Sequence, residues 1–388
     1  MRNVKTLLGS GSGPSASGFK KARSERELFP ATSADVDGPD CLHDCESCTA
    51  HYPARFRIDE DDKLYGQVRG WNTHLIVGTG KTDWVRDVTD EKGSVMEAVG
   101  RVGLEAANGK VMLSASNMPP GHEDNGLDEG ASTCLLLPAW ILIESVRPHD
   151  VPELMRTVVG KSVTSTTLVE KKSKEAKVAD ITQNGEKTPR EERQAQQNGS
   201  VEQPDQEAAA DDGPDVSQLH IGEGNPSSDR PSQATLRSIP SKFKTRPCPH
   251  SYLILLCSHK TRDARCGQSA PLLRKEFERH LRPLGLYRDL QDERPGGVGI
   301  YFINHVGGHK YAANVLVYRR EGAKGDGTNG DTDQGPLSGE AAQFIWLARV
   351  GPKDCENIIK YTVLQGKVVK PQKQLRGGFD RERGLTSW

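Results

Sequence analysis

Two stretches decide the reading of this chain: SYLILLCSHKTRDARCG at 251–267 and GVGIYFINHVGGHKY at 297–311. Each opens on a short apolar, β-like run, YLILL before Cys257 and VGIYFI before His305. Eight residues separate Cys257 from Cys266, and three separate His305 from His309. Two soft sulfurs and two imidazoles at strand ends suit Zn²⁺ or an iron–sulfur cluster. A zinc knuckle wants about two to four residues between its ligands. The segment between the cysteines must therefore loop out and return, which is easier around the wider sulfurs of a two-iron cluster. Gly307 and Gly308 argue for a tight loop between the histidines, one that lets backbone approach a metal.

Around these stretches the pattern alternates strand and helix. In the unit 246–370, YLILLC is a strand, 270–285 a helix with apolar Leu272, Leu273, Phe277 and Leu281, and GVGIYFINH, ANVLVYRR and QFIWLARV are strands. A Gly/Asp-rich loop is expected at 321–340, and DCENIIKYTVLQG closes as a helix. The unit 41–161 runs in the same order: HLIVGTG as a strand, a helix over 94–107 stopped by Gly109, KVMLSASN as a strand, CLLLPAWILI at 134–143 as one buried strand, and a helix at 150–160. Val146, Pro148, Asp150, Leu154 and Met155 match Val350, Pro352, Asp354, Ile358 and Ile359. The chain therefore reads as α/β, an internal duplication of a β-α-β-β-α thioredoxin-like unit. Only the second copy carries the ligands, with Thr79 and Gly80 standing where Cys257 and its neighbour stand.

Between the units, 162–245 is polar, mixed in charge and poor in aromatics, the composition of a disordered linker. Residues 1–40 also read as disordered. Their first 24 carry Arg2, Lys5, Lys20, Lys21 and Arg23 without an acid, as a mitochondrial transit peptide or a plain tail would. A net charge of −1 in 388 residues gives no push toward nucleic acid. No apolar run approaches the roughly 20 residues of a membrane span.

The eight cysteines include a cluster, CLHDCESC at 41–48. The Cys41-x3-Cys45-x2-Cys48 spacing matches the triad of radical SAM enzymes, but Gly/Ser-rich sequence precedes it and too few βα units follow. A redox dithiol, a second metal site recruiting His43 or His51, or surface thiols remain open. No pair of carboxylates, nucleotide loop or hydrolytic constellation stands out.

The run RDARCG, and His305-Val-Gly-Gly-His309-Lys followed by Tyr-Ala-Ala-Asn-Val, resemble the signature of the fungal sucrase/ferredoxin-like family of thioredoxin-like ferredoxins. CLHDCESCTAHYPARF, KLYGQVRGW, GKTDWVRDV and the run LRGGFDRERGLTSW at 375–388, within a C-terminal tail at 371–388, narrow the resemblance to its mitochondrial members. The resemblance implies a [2Fe–2S] cluster with Cys257 and Cys266 on one iron and His305 and His309 on the other. It implies an electron carrier or redox regulator with a protein redox partner. Neutral imidazoles in place of thiolates make such a cluster easier to reduce. Arg262, Arg265 and Lys310 lie near the ligands in sequence and either tune their charge or line a solvated loop. The end Thr386-Ser387-Trp388 resembles the tail by which iron–sulfur assembly machinery recognises cytoplasmic clients, with Leu385 one place earlier than that pattern prefers. Two other readings stand beside this one, a zinc-stabilised interaction module and a thiol oxidoreductase working through Cys41, Cys45 and Cys48.

Overall fold

The structure is a computed structural model that describes residues 18–121, 130–169, 239–323 and 339–388. Most of the expected linker, the first residues of the chain and the body of the loop at 321–340 lie outside the described residues.

Nine strands organise the fold: β1 Thr73–Gly78, β2 Gly109–Ser116, β3 Ser132–Leu137, β4 Ile141–Val146, β5 Tyr252–Cys257, β6 Val298–Ile303, β7 Val315–Arg320, β8 Ala341–Leu347 and β9 Leu375–Asp380. They form one mixed sheet in the order β9-β8-β7-β5-β6-β2-β1-β3-β4. Short strands extend its edges, Thr245–Pro247 on β4, and Leu385–Thr386 then Lys20–Lys21 beyond β9. The tail expected after residue 370 is thus built into the sheet.

Each half repeats one topology. β1 and β2 are parallel and joined through helix α1, Val95–Val102, while β5 and β6 are parallel and joined through the helix α3, Ala264–Leu281. In both cases the parallel pairing requires the crossover that the helix supplies. β3 then pairs antiparallel with β1 as β7 does with β5, and β4 with β3 as β8 does with β7. A helix follows each set: α2 at Val151–Thr157 and α4 at Cys355–Asn357, the latter continuing as a π-helical segment, Ile358–Val363. The local chemistry at these two starts is the same. Asp150 Oδ2 accepts from Arg147 N at 3.1 Å, and Asp354 Oδ2 accepts from Gly351 N at 2.7 Å. Lys242 pairs with Asp150 at 2.7 Å, as Lys370 does with Asp354 at 2.6 Å.

Lys20–Lys21 and Thr245 pair into the sheet although their segments read as disordered, and three further elements differ from the sequence expectation. The helix of 94–107 stops at Val102 because Gly103 adopts φ +102°, a conformation that costs glycine little, and Gly109 instead opens β2. CLLLPAWILI is two antiparallel strands, because Pro138 cannot donate to a ladder and the chain turns at Trp140, whose φ is +61°. The helix of 270–285 starts at Ala264, capped by Asp263, whose carboxylate accepts from Arg265 N at 2.9 Å.

Side chains of β5 alternate between two buried clusters. Tyr252, Ile254 and Leu256 pack with Leu273, Phe277 and Leu281 of α3, while Leu253 and Leu255 face Phe344, Trp346 and Phe379. Such burial of both faces gives the near-continuous apolar run seen in YLILL.

The halves meet where β2 and β6 run antiparallel at the single register pair Ser116–Ile303. Two asparagines, one past the end of each strand, extend this contact. Asn117 N donates to Phe302 O at 3.2 Å while its Oδ1 accepts from Phe302 N at 2.7 Å. Asn304 N donates to Ala115 O at 3.0 Å while its Oδ1 accepts from Ala115 N at 3.1 Å. Both asparagines are buried. Asn117→Ala leaves the Phe302 N–H without its acceptor, and is expected to lower stability by about 1–3 kcal/mol. A denaturant midpoint unchanged from the native chain would contradict this.

Candidate metal centre

Cys257 closes β5, and Cys266 sits in the first turn of α3 rather than on a returning loop, because Asp263 starts the helix before it. Both thiols are buried, with their sulfurs 3.2 Å apart. His305 follows β6 by two residues, and its Nδ1 lies 3.8 Å from Cys257 Sγ. The ligand atoms of Cys257, Cys266 and His305 all lie within 4.8 Å of one another. His309 begins a short helical turn, His309–Tyr311, after Gly307 and Gly308, whose φ values are +83° and +66°. The histidines therefore lie on a tight loop, as their glycines lead one to expect.

The two thiols share a proton unequally. A hydrogen bond from Cys266, with a further contribution from His305, holds Cys257 well below the usual thiol range despite its burial. The same hydrogen bond pushes Cys266 up, and burial pushes it further. A thiolate ready in a buried site is the protonation state that a metal requires of a cysteine ligand.

The half without ligands clamps the ligand loop. Ser258 Oγ donates to Thr82 O at 2.8 Å, and Asp83 accepts from Thr261 N and Oγ1 at 3.0 and 2.7 Å. His259, fully buried, lies 3.0 Å from Trp84 O through Nε2 and 3.2 Å from His305 N through Nδ1. A carbonyl can only accept and an N–H only donate, so Nε2 carries the proton and Nδ1 takes the His305 amide. His259 thus ties the backbone of one candidate ligand to the opposite half. In that half Gly78, not Thr79, occupies the register position of Cys257, since Gly78 pairs with Ser116 as Cys257 pairs with Ile303. A Cβ at Gly78 would come within 2.7 Å of Pro119 O, so the loop there fills its own space.

Arg376, the second residue of β9, reaches under the histidine loop. It donates to Gly307 O at 2.9 Å, to Asn314 Oδ1 at 3.0 Å and to Gln67 O at 2.9 Å, and lies 4.3 Å from the Trp346 ring centroid. Its guanidinium also fills the space that a Cβ on Gly308 would need. Burial pushes Arg376 down to about 10, opposed by Tyr311 and Cys257, so it stays charged at neutral pH. Asn314 ties this arginine to the centre, since Cys257 N donates to Asn314 O at 3.3 Å and Trp346 Nε1 to Asn314 Oδ1 at 2.9 Å.

The three basic residues singled out by sequence are engaged elsewhere. Arg265 pairs with Asp263 at 2.9 Å, Lys310 with Asp62, and Arg262 donates to Arg86 O at 3.4 Å. Of the clustered thiols, Cys41 is buried with Tyr361 and Val369, Cys48 donates to Ala50 O at 3.2 Å, and Cys45 faces Arg279 and His280. The imidazole brought to this cluster is that of His280, while His43 and His51 are exposed. Trp388 stacks on Trp71 with ring centroids 4.7 Å apart, and Ser387 is buried.

A thiol pair and an imidazole gathered at the strand ends of a mixed sheet define a Cys/His centre. Residues 64–377 match the family described as sucrase/ferredoxin-like, and the chain belongs to that family. Actin patches distal protein 1 of Saccharomyces cerevisiae is 42% identical over 118 residues, 30% of this chain and 31% of that protein. Altered inheritance of mitochondria protein 32 of Clavispora lusitaniae is 32% identical over 131 residues, 34% of this chain and 37% of that protein. Its namesake in Debaryomyces hansenii is 33% identical over 118 residues, 30% and 33% of the two chains. The matched stretch spans about a third of the length of these relatives. No solved structure matches. No helix among the described residues is long and apolar enough to cross a membrane.

Arg376→Met removes the donor that spans Gln67, Gly307 and Asn314, and is expected to cost about 2–3 kcal/mol and to speed amide exchange at Tyr311. Arg376→Lys is expected to recover little, because one ammonium cannot reproduce the planar fork. Full rescue of exchange protection by lysine would refute the fork's role.

Proposed function

We propose that this chain is a [2Fe–2S] redox protein, an electron carrier or redox regulator, with Cys257 and Cys266 on one iron and His305 and His309 on the other. The observation that carries the reading is the convergence of two buried thiols with the His305 imidazole at the ends of adjacent parallel strands. Donors of this kind fit iron: thiolate and imidazole together are the ligand types of a histidine-bound [2Fe–2S] centre. Such a cluster supplies a one-electron store. The chain's own contribution is to fix the ligands and set the charge around them. His259 and Arg376 hold the histidine loop from two sides, and Asn314 Nδ2, buried with no partner among the described residues, leaves a donor unused in the network beside Cys257. Arg376 brings positive charge, which favours the more negative, reduced state.

The rest of the organisation follows the same reading. Two thioredoxin-like units, 41–161 and 246–370, arose by duplication and are joined by the linker 162–245. This is supported by the shared strand order, the matched Asp150 and Asp354 caps, and the reciprocal asparagines. A mitochondrial place of work is supported by the names of the two relatives called altered inheritance of mitochondria protein 32 and by the basic, acid-free composition of residues 1–24.

The test is electron paramagnetic resonance of the reduced, purified protein. The native chain is expected to be reddish and to give a spin-coupled [2Fe–2S] signal, with His305→Cys and His309→Cys each shifting the g-values and lowering the midpoint potential. Colourless protein with stoichiometric zinc, or spectra indifferent to both substitutions, would overturn the assignment.

A further inference from the structure

We propose that Cys45, His280 and Glu356 form a second metal site, of zinc type, which fastens the segment around the cysteine cluster to α3 and α4. The three come from separate elements: Cys45 from an irregular segment, His280 from the last turn of α3, and Glu356 from α4. Their ligand atoms all lie within 4.8 Å of one another. Cys45 Sγ and His280 Nε2 are 3.7 Å apart. Tetrahedral zinc, with bonds of about 2.3 Å to sulfur and 2.0 Å to imidazole, sets those atoms ~3.5 Å apart.

The second observation concerns what stands between them. Arg279 NH2 lies 3.6 Å from Cys45 Sγ and 2.8 Å from His280 Nε2. A guanidinium has only donors, so the lone pairs of both candidate ligands are turned toward one cationic point. Arg279 is 31% exposed and can release that point to solvent, keeping its Nε on Glu276 Oε2 at 2.7 Å. The segment is held in place beforehand. Buried Glu276 accepts from Thr49 N, Thr49 Oγ1 and Ala50 N at 3.1, 2.8 and 2.9 Å, and Cys45 N donates to Lys353 O at 3.0 Å. Cys48 turns its thiol to Ala50 O, so three protein ligands leave one tetrahedral position open to water. The site is distinct from the Cys257 centre. Cys266 and His280 stand at opposite ends of α3, and fourteen helical residues at about 1.5 Å each separate them by ~21 Å.

The experiment titrates the full-length chain with Co²⁺ and reads the sulfur-to-cobalt charge-transfer and tetrahedral d–d bands. One equivalent is expected to develop them in the native chain and in Cys257→Ser alike. Cys45→Ser and His280→Ala should each weaken binding at least tenfold. Glu356→Gln, at an exposed position where folding is not at stake, should weaken it several-fold. Arg279→Ala, by removing the competing cation, should tighten it about tenfold or more. Bands that survive in both Cys45→Ser and His280→Ala, bands lost in Cys257→Ser instead, or an Arg279→Ala affinity no tighter than native would each overturn the site.

Discussion

The structure depends on the seam between β2 and β6, where one backbone register pair would be a weak junction by itself. Asn117 and Asn304 turn it into a longer ladder, because a side-chain amide offers the same acceptor that a further strand residue would. Each asparagine satisfies a buried backbone N–H in the opposite half, a group that is expensive to leave unpaired. With the seam fixed, the loops that leave β1 and β5 must emerge side by side. Ser258, His259 and Thr261 meet Thr82, Asp83 and Trp84 for that reason. The half that lacks the candidate ligands therefore works as a clamp on the half that has them.

The second constraint is a buried cation that pairs with no carboxylate among the described residues. The hydrogen bonds of Arg376 run to two carbonyls and an amide, and its flat face lies over Trp346. Guanidinium suits such a place because it is planar, weakly hydrated and rich in directed donors. The negative charge it lacks nearby is available at the Cys257 thiolate, which opposes the effect of burial on Arg376. Gly308 is required twice, by its positive φ and by the space the guanidinium takes.

How much of this could be read in the sequence divides along local and non-local lines. The strand ending at Cys257, the strand just before His305 and the glycine loop are local patterns, and they stand where expected. The place of Cys266 differs because Asp263 is a helix cap, a local signal outweighed by the apparent loop character of SHKTRD. The hairpin at Pro138 was hidden inside a continuous apolar run, where hydrophobicity hides a turn. Arg376, His259, Asn117 and Asn304 carry no pattern that marks them, since their partners are distant in sequence. The Gly-Gly after Arg376 was the one available hint, because a Cβ at Gly377 or Gly378 would meet Ser387 or the Phe344 carbonyl. His280 stands one turn after the buried Glu276 on α3, where a histidine ordinarily draws no notice.

The hydrogen bond between Arg376 and Gln67 spans 309 residues of chain, and it has a consequence for the order of assembly. Synthesis runs from the N-terminus, and early segments begin to collapse before later ones emerge. Gln67 must therefore keep its carbonyl available until Arg376 is made. Contacts of such separation form late, since the entropy of closing long loops is met before they reward it. The histidine loop can be fully braced only after β9 has left the ribosome. A chain stalled before β9 would carry the cysteines and histidines without the arginine that holds their loop, so a fully braced candidate centre becomes a mark that synthesis has passed β9.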